Sequence, residues 1–371
     1  MAELRQKLWA IGGGKGGVGK SVVTLMLAAW LGRLGSKVII VDADLGGANL
    51  HTLLGIRYPS PTLDDFVNRR VEDLGECALE TPLAGVRLIC GADDILGLAN
   101  PKWAQKMRLL RHLEALEAEF VLLDLGAGTG YNSLDFFAYA PNRLAVFTPQ
   151  APSVQNAYGY IKSSLMRRLG QLLGRDEEAG HLVRALVSPE EAAGDQNAGE
   201  GEASGMEAGE KRESSEKIDS VPALKARLKQ VSPAAHERLE RELEGWRVNL
   251  VANMVRDKQG AEAAKVLRSV ALNYLGLDLK LLGSIAYDPE VERHINKLWP
   301  LLAGGKSSQA AMSSYAVANE VLKAARLARV AAQQQQAAAA SEGESEEVPP
   351  GVGPLDADHH PLAGGEGVTQ G

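Results

Sequence analysis

The chain has little cysteine and no long apolar run, and each shortage excludes a class of protein. Its 371 residues include two cysteines, Cys77 and Cys90, which lie far apart in sequence and outside any metal-ligand spacing. We expect both to be buried, reduced thiols. No run of 18 apolar residues exists, so no membrane-spanning helix is expected. These shortages predict a cytoplasmic protein.

The net charge of −7 is unevenly distributed along the chain. Residues 176–220 carry thirteen acids and four bases, and residues 331–371 carry seven acids and no base. The remainder has 36 bases and 27 acids and is therefore mildly basic. A basic body suits an acidic lipid surface or nucleic acid, although a merely solvated surface has the same composition.

Composition also divides the chain into segments. Residues 331–371 are rich in Gln, Ala, Gly, Pro and Glu, which predicts a disordered acidic tail. Residues 176–244 read as an acidic insertion, largely disordered, with a helical end where apolar residues recur at helical spacing. We therefore expect one domain in two parts, residues 1–175 and 245–330, interrupted by that insertion.

Apolar strands alternate with helical patterns in both parts. The strand candidates are 8–11, 37–41, 86–90, 120–123, 143–147, 248–252 and 281–285. Helical patterns cover 21–34, 101–117, 153–173, 260–275 and 308–330. This alternation predicts an α/β fold with a mostly parallel sheet covered by helices on both faces. Ligands of such sheets bind at the carboxyl ends of the strands.

A glycine-rich loop follows the first strand candidate. Its sequence GKGGVGKS fits the phosphate-loop pattern G-x-x-x-x-G-K-[ST] and precedes a helical pattern. Glycines let backbone N–H groups surround an anion, Lys20 is expected to reach the β- and γ-phosphates, and Ser21 to bind Mg²⁺. The predicted nucleotide-binding residues here are Gly14, Lys15, Gly16, Gly17, Val18, Gly19, Lys20, Ser21 and Val22.

Three aspartates stand just beyond apolar strands. Asp42 and Asp44 end the run VIIVDAD, and Asp124 ends FVLLD before a glycine-rich segment. Phosphoryl hydrolysis needs a metal held by acidic or hydroxyl groups and a group that orients the attacking water. We expect Ser21, Asp42 and Asp124 to hold the metal, with the aspartates acting through metal-bound waters, and Asp44 to orient the water.

The segments KGGVGKS, VDADLGGANL and LLDLGAGTG closely resemble the MinD/ParA family of ATPases, and most of all its flagellar-number regulators of the FlhG/FleN type. The likeness covers about residues 6–175 and 245–330. It implies a P-loop NTPase fold and an ATP-dependent homodimer. It also implies that Asn253, in LVANMV, contacts adenine, while Gln150 stands where the family usually has an acid.

The resemblance also assigns a role to Lys15, the second lysine of the loop. In this family, the lysine at that position reaches across the dimer to the phosphates of the partner subunit's ATP. A second ammonium lowers the cost of burying a γ-phosphate between two subunits, so dimerisation would depend on the nucleotide. Lys15, Lys20 and Asp44 are therefore the expected catalytic residues of an ATP hydrolase.

The surface on which such a switch acts is left open by the sequence. One class is a spatial regulator of a flagellar, polar or cell-division structure, which acts with a protein partner and is peripheral to a membrane or cell pole. The alternative is a partition ATPase that binds DNA non-specifically, for which Lys162, Arg167 and Arg168 are candidate contacts. The terminal helical pattern, 308–330, is either a weak membrane amphipath or a helix docked on the sheet. An iron–sulfur scaffold is disfavoured because it needs a C-x-x-C pair.

Overall fold

The structure is a computed structural model, and it describes residues 6–44, 47, 49–91, 103–187, 218–257, 259–296 and 308–344. Residues Met1–Arg329 form one compact unit, and Val330–Gly371 form a second.

Strands and helices alternate along the first unit. The strands are β1 (Leu8–Gly12), β2 (Val38–Ala43), β3 (Ala78–Glu80), β4 (Val86–Ile89), β5 (Phe120–Leu125), β6 (Asn142–Phe147), β7 (Val248–Val255) and β8 (Lys280–Ala286). The helices are α1 (Lys20–Arg33), α2 (Leu50–Leu53), α3 (Leu63–Val67), α4 (Trp103–Ala115), α5 (Tyr131–Tyr139), α6 (Ala151–Leu173), α7 (Glu177–Val187), α8 (Val221–Val231), α9 (Pro233–Glu244), α10 (Gln259–Leu275), α11 (Pro289–Asn296) and α12 (Gln309–Glu344).

The described strands form one sheet in the order β3-β4-β2-β5-β1-β6-β7-β8. Every neighbouring pair is parallel except β3 and β4, which are antiparallel. The predicted fold class is therefore confirmed, and each predicted strand is present. The short edge strand β3 escaped prediction because its three residues are only partly buried and carry no apolar run.

The sheet separates two apolar cores, as the alternation of side chains along β1 illustrates. Leu8 and Ala10 point into a core shared with α3 to α10, whereas Trp9 and Ile11 point into one shared with α1, α2 and α12. A strand buried on both faces needs apolar residues at every position, which is why β1 reads as a continuous apolar run. β1 lies centrally, between β5 and β6, so the loop that follows it opens at the middle of the sheet.

More of the predicted insertion is helical than the sequence indicated. Helix α7 packs Ala179 and Val183 into the core, and helices α8 and α9 add Leu224 and Leu239. Residues 188–217, the most acidic part of the insertion, lie outside the described residues.

Helix α12 extends past the predicted end at residue 330 to Glu344, and the rest of the predicted tail lies outside the described residues. Its residues Val317, Val321 and Ala325 are buried in the core that also contains α1. The docked-helix interpretation therefore holds for this part of the helix. Among the described helices, none combines the length and apolar character needed to cross a bilayer.

Candidate nucleotide site

The glycine-rich loop connects β1 to α1 at the carboxyl edge of the sheet. Gly12 ends β1, and Lys20 is the first residue of α1, so the positive end of the helix faces the loop. Gly19 caps the helix with a left-handed φ of 84°, a conformation that glycine adopts without strain. The local sequence therefore produces the strand, loop and helix order that phosphate binding requires.

Close contacts with neighbouring elements explain two glycines of this loop. A Cβ atom on Gly14 would overlap the carbonyl oxygen of Asn156 in α6, and one on Gly19 would overlap the Asn253 amide. The loop is thus packed against α6 and β7 on one side. Lys15, Gly16 and Gly17 are exposed on the other. This cradle suits a phosphate chain held by backbone N–H groups.

The two lysines of the loop occupy contrasting environments. Lys20 is buried, and burial lowers the pKa of its ammonium group while the charges of Asp124 and Asp44 oppose that shift. Lys15 is exposed. One cation therefore lies inside the site beside two carboxylates, whereas the other faces outward from the same loop.

Asp124, near the end of β5, is held against α1. Its side chain is buried, and the Thr24 hydroxyl lies 3.0 Å from its Oδ1 atom and 3.0 Å from the Lys20 carbonyl oxygen. Burial raises the pKa of Asp124 to about 6, although hydrogen bonds from Ser21 and Thr24 oppose the shift. Thr24 was not predicted as a site residue, and its position one helical turn after Lys20 was the available signal.

Asp42, at the end of β2, is the register partner of Asp124 across the strand pair. Its carboxylate accepts backbone N–H groups from Asp44 at 3.2 Å, Asn49 at 2.9 Å and Leu50 at 3.0 Å. Burial raises its pKa to about 7, and the charge of Asp124 adds to the shift. Asp42 therefore fixes the loop after β2 and the start of α2.

Asp44 lies in that loop, half-buried, and contacts the segment that follows β5. A Cβ atom on Gly126 would lie 2.7 Å from Asp44 Oδ1, so glycine is needed for this approach. The Gly126 carbonyl in turn accepts a 3.2 Å hydrogen bond from Ser133, whose hydroxyl lies 2.8 Å from the Tyr160 hydroxyl. This support from α5 and α6 was not predicted.

Asn253 is buried at the carboxyl end of β7, and its Nδ2 atom donates a 2.9 Å hydrogen bond to the Val18 carbonyl oxygen. The side chain thus ties β7 to the phosphate loop. Ser21 and Val22, in the first turn of α1, are half-buried. The fold consequently brings together every residue that the sequence assigned to nucleotide, metal or catalysis.

The arrangement fits a nucleoside triphosphate with Mg²⁺. A glycine cradle, a buried lysine and two adjacent carboxylates beside a serine hydroxyl form a donor set suited to phosphate oxygens and a hard cation. Within the described ranges, no three His, Cys, Asp or Glu side chains form a cluster able to hold a metal alone. Mg²⁺ commonly takes one or two carboxylates and completes its shell with phosphates and water, which agrees with this set.

Two of the three candidate DNA contacts are already engaged. Arg167 pairs with Asp135, and Arg168 makes two hydrogen bonds to Glu242, at 2.9 and 2.8 Å. Lys162 lines a groove between α5, α6 and α7.

Residues 5–166 match the family described as "ParA: NUBPL iron-transfer P-loop NTPase". The antiactivator FleN of Pseudomonas aeruginosa is 35% identical over 155 residues, which are 41% of this chain and 54% of FleN. The flagellum site-determining protein YlxH of Helicobacter pylori is 30% identical over 158 residues, 42% of this chain and 53% of YlxH. The chain thus spans about half the length of these curated relatives.

Among solved structures, the Pyrococcus horikoshii septum site-determining protein MinD, complexed with Mg-ADP, superposes with a TM-score of 0.53. The match covers 87% of this chain and 98% of that chain at 20% identity, so it bears on the fold alone. Residues 5–166 are thus similar to P-loop NTPases of the ParA type, and the parallel sheet has the fold of the solved MinD structure.

Proposed function

We propose that the chain is a Mg²⁺-dependent ATPase that dimerises with ATP and acts as a nucleotide-switched spatial regulator of a flagellar, polar or cell-division structure. The contrast between Lys20 and Lys15 carries this proposal. A single loop contains one buried lysine, which we assign to the subunit's own nucleotide, and one exposed lysine, which we assign to the nucleotide of a neighbouring subunit. The similarity to YlxH, which is named a flagellum site-determining protein, supports the cellular role.

Each residue of the site has a role in this proposal. The loop N–H groups and Lys20 hold the phosphates and neutralise their charge. Ser21 binds the metal, and Asp42 and Asp124 hold its bound waters. When bound, Mg²⁺ neutralises charge on the β- and γ-phosphate oxygens. Asp42 keeps the loop after β2 in place. Asp44, held in that loop, orients the attacking water. Asn253 contacts adenine and also binds the phosphate loop through the Val18 carbonyl oxygen.

Lys15 makes the assembly sensitive to the nucleotide. An exposed ammonium group gains a strong partner only where a γ-phosphate of a second subunit faces it. With ADP that anion is shorter, so the interface loses its charge pairing. The result is a coupling free energy between nucleotide and dimer, typically equivalent to a change of about 5- to 150-fold in affinity.

Point variants separate dimerisation from turnover. Lys15→Ala is expected to remain monomeric with magnesium and a non-hydrolysable ATP analogue, and to lose turnover. Asp44→Ala is expected to dimerise but to hydrolyse ATP roughly 100-fold more slowly or worse. Lys37→Ala is the matched control, because Lys37 is an exposed lysine at the opposite edge of the sheet. Light scattering after gel filtration and phosphate release measure the two properties.

Normal dimerisation of Lys15→Ala would exclude the role across the interface, and a wild-type chain that stays monomeric with the analogue would exclude the switch itself. Co-sedimentation with anionic liposomes and with duplex DNA, each with ATP and with ADP, distinguishes the surfaces. ATP-dependent binding to DNA alone would favour a partition ATPase. The engagement of Arg167 and Arg168 in ion pairs supports the regulator instead.

A further inference from the structure

A large groove lies between α5, α6 and α7. Its volume is about 980 Å³, which is at the upper end for binding sites in proteins. The apolar part of its lining includes Leu134, Met166 and Val183, which are buried, and Val187, which is half exposed. Such an apolar floor favours a ligand with an apolar face of its own.

The polar part of the lining is cationic. Its charged side chains are Lys162, Arg167 and Arg184, and the described residues that line the groove include no acid. Within the described part of the chain, neither Lys162 nor Arg184 forms an ion pair. Apolar contacts flanked by unpaired cations complement a segment that alternates apolar and acidic side chains.

Arg167 is fixed in position at the groove. It pairs with the buried Asp135, and its guanidinium lies 4.4 Å from the centre of the Tyr131 ring. Asp135 is also bound by the buried Lys106 at 2.8 Å. This network pre-orders one cation of the lining, which lowers the entropic cost of binding.

The groove is continuous with the nucleotide site through one segment. Thr129 and Tyr131 line it, and they closely follow Asp124 and Gly126 in sequence. Gly126 approaches Asp44 directly. A conformational change at Asp44 and Asp124 on binding of a terminal phosphate would therefore pass through only a few residues before it reached the groove.

We propose that this groove is the docking surface for an acidic amphipathic helix of a protein partner, and that the bound nucleotide changes its affinity. The second part rests on the proposed function. Helix-in-groove binding uses an apolar stripe with charges beside it, which this lining matches. Nucleic acid fits less well, because its phosphates need cations but not an apolar floor.

The test uses a fluorescent peptide of about 16 residues with leucines and glutamates at helical spacing. Its lysine counterpart and a scrambled peptide are controls. The acidic peptide should bind the full-length chain, and Lys162→Glu/Arg184→Glu should weaken binding about tenfold or more, measured by anisotropy. The double variant Arg247→Glu/Lys280→Glu makes the same charge change at exposed residues outside the groove lining, just before β7 and at the start of β8, and should bind normally.

Arg184→Glu alone, at an exposed position, gives a second readout with little risk to folding. Equal binding by wild type and both groove variants would overturn the proposal, and so would equal binding of the scrambled peptide. Binding of duplex DNA that these variants abolish, without peptide binding, would assign the groove to nucleic acid instead. If a synthetic peptide of residues 188–217 binds and the designed peptide does not, the occupant is this chain's own acidic segment.

The effect of the bound nucleotide on peptide affinity is measured separately. Peptide affinity with magnesium and a non-hydrolysable ATP analogue should differ about fivefold or more from that with ADP. Equal affinities in a chain that dimerises with the analogue would refute the coupling. If the chain fails to dimerise but binds the peptide through Lys162 and Arg184, the groove stands and the proposed switch fails.

Discussion

The buried carboxylate of Asp135 offers a sharp test of how the helical layer is held together. Lys106 donates to Asp135 Oδ2 at 2.8 Å, and Arg167 donates from Nη2 at 3.0 Å and also from Nε. Gln171 donates to Oδ1 at 3.3 Å. The side chains of Lys106 and Asp135 are 8% and 6% exposed, so water cannot replace a lost partner. The network joins α4, α5 and α6.

The free energy of unfolding should reflect that burial. Asp135→Ala leaves the Lys106 ammonium group buried without its carboxylate, which should cost about 3–5 kcal/mol. Lys106→Met removes the cation and leaves Asp135 paired with Arg167, which should cost about 1.5–3 kcal/mol. The double variant should cost less than the sum by about 1–3 kcal/mol, because no buried charge is then stranded.

Urea unfolding followed by circular dichroism measures all four chains of this cycle. Arg168→Ala is the control, since its pair with Glu242 is partly exposed and should contribute about 1 kcal/mol or less. Additive costs for Lys106→Met and Asp135→Ala would refute the reasoning, because they would mean that the two charges do not depend on each other.

The same network predicts that the free energy of unfolding depends on pH. Burial raises the pKa of Asp135, but hydrogen bonds from Arg167 and Lys106 outweigh it and the net shift is downward. A lowered pKa in the folded state adds stability above the unfolded value of about 3.9, and this stability is lost as the pH falls through the folded value. The difference in the free energy of unfolding between wild type and Asp135→Ala should therefore have its full value at pH 7 and become smaller below about pH 4.

Three further predictions concern the site and the thiols. Gly14→Ala should lower the melting temperature and weaken nucleotide binding, because its Cβ would overlap the Asn156 carbonyl, whereas Gly16→Ala meets nothing closer than 3.8 Å and should keep the wild-type melting temperature. Thr24→Val should cost about 1–2 kcal/mol in urea unfolding by removing a hydroxyl from Asp124, and Thr24→Ser should restore most of it. Cys77 and Cys90 are both buried and free of disulfides, and burial raises the pKa of Cys77 to about 11; a colorimetric thiol reagent at pH 8 should therefore label the native chain slowly and the unfolded chain at once.

Elements with a local signature were predictable from the sequence. The phosphate loop is recognisable by its glycine spacing. The strands before Asp42 and Asp124 are recognisable by apolar runs that end in a carboxylate. Helix α5 was missed because most of its residues, including Phe136 and Phe137, are buried, which leaves no clear amphipathic stripe.

Acidic composition misled the prediction at α7. Glu177 and Glu178 occupy its first turn and Arg184 its last, where each charge complements the helix dipole. A segment-wide count of acids treats the same residues as evidence of disorder. Burial of Val183 and Leu186 along one side of the helix was the signal that composition concealed.

Asp42 and Asp124 have different structural roles that the sequence alone does not distinguish. Asp42 and Asp124 look equivalent as strand-end carboxylates and pair in register. Their hydrogen-bond partners, however, are different. Asp42 accepts N–H groups from seven and eight residues further along the chain, whereas Asp124 contacts the helix that begins at Lys20. Asp42 thus holds the loop that carries Asp44 to Gly126. The position of the proposed water-orienting group consequently depends on a neighbour that the pattern marks only as a metal ligand.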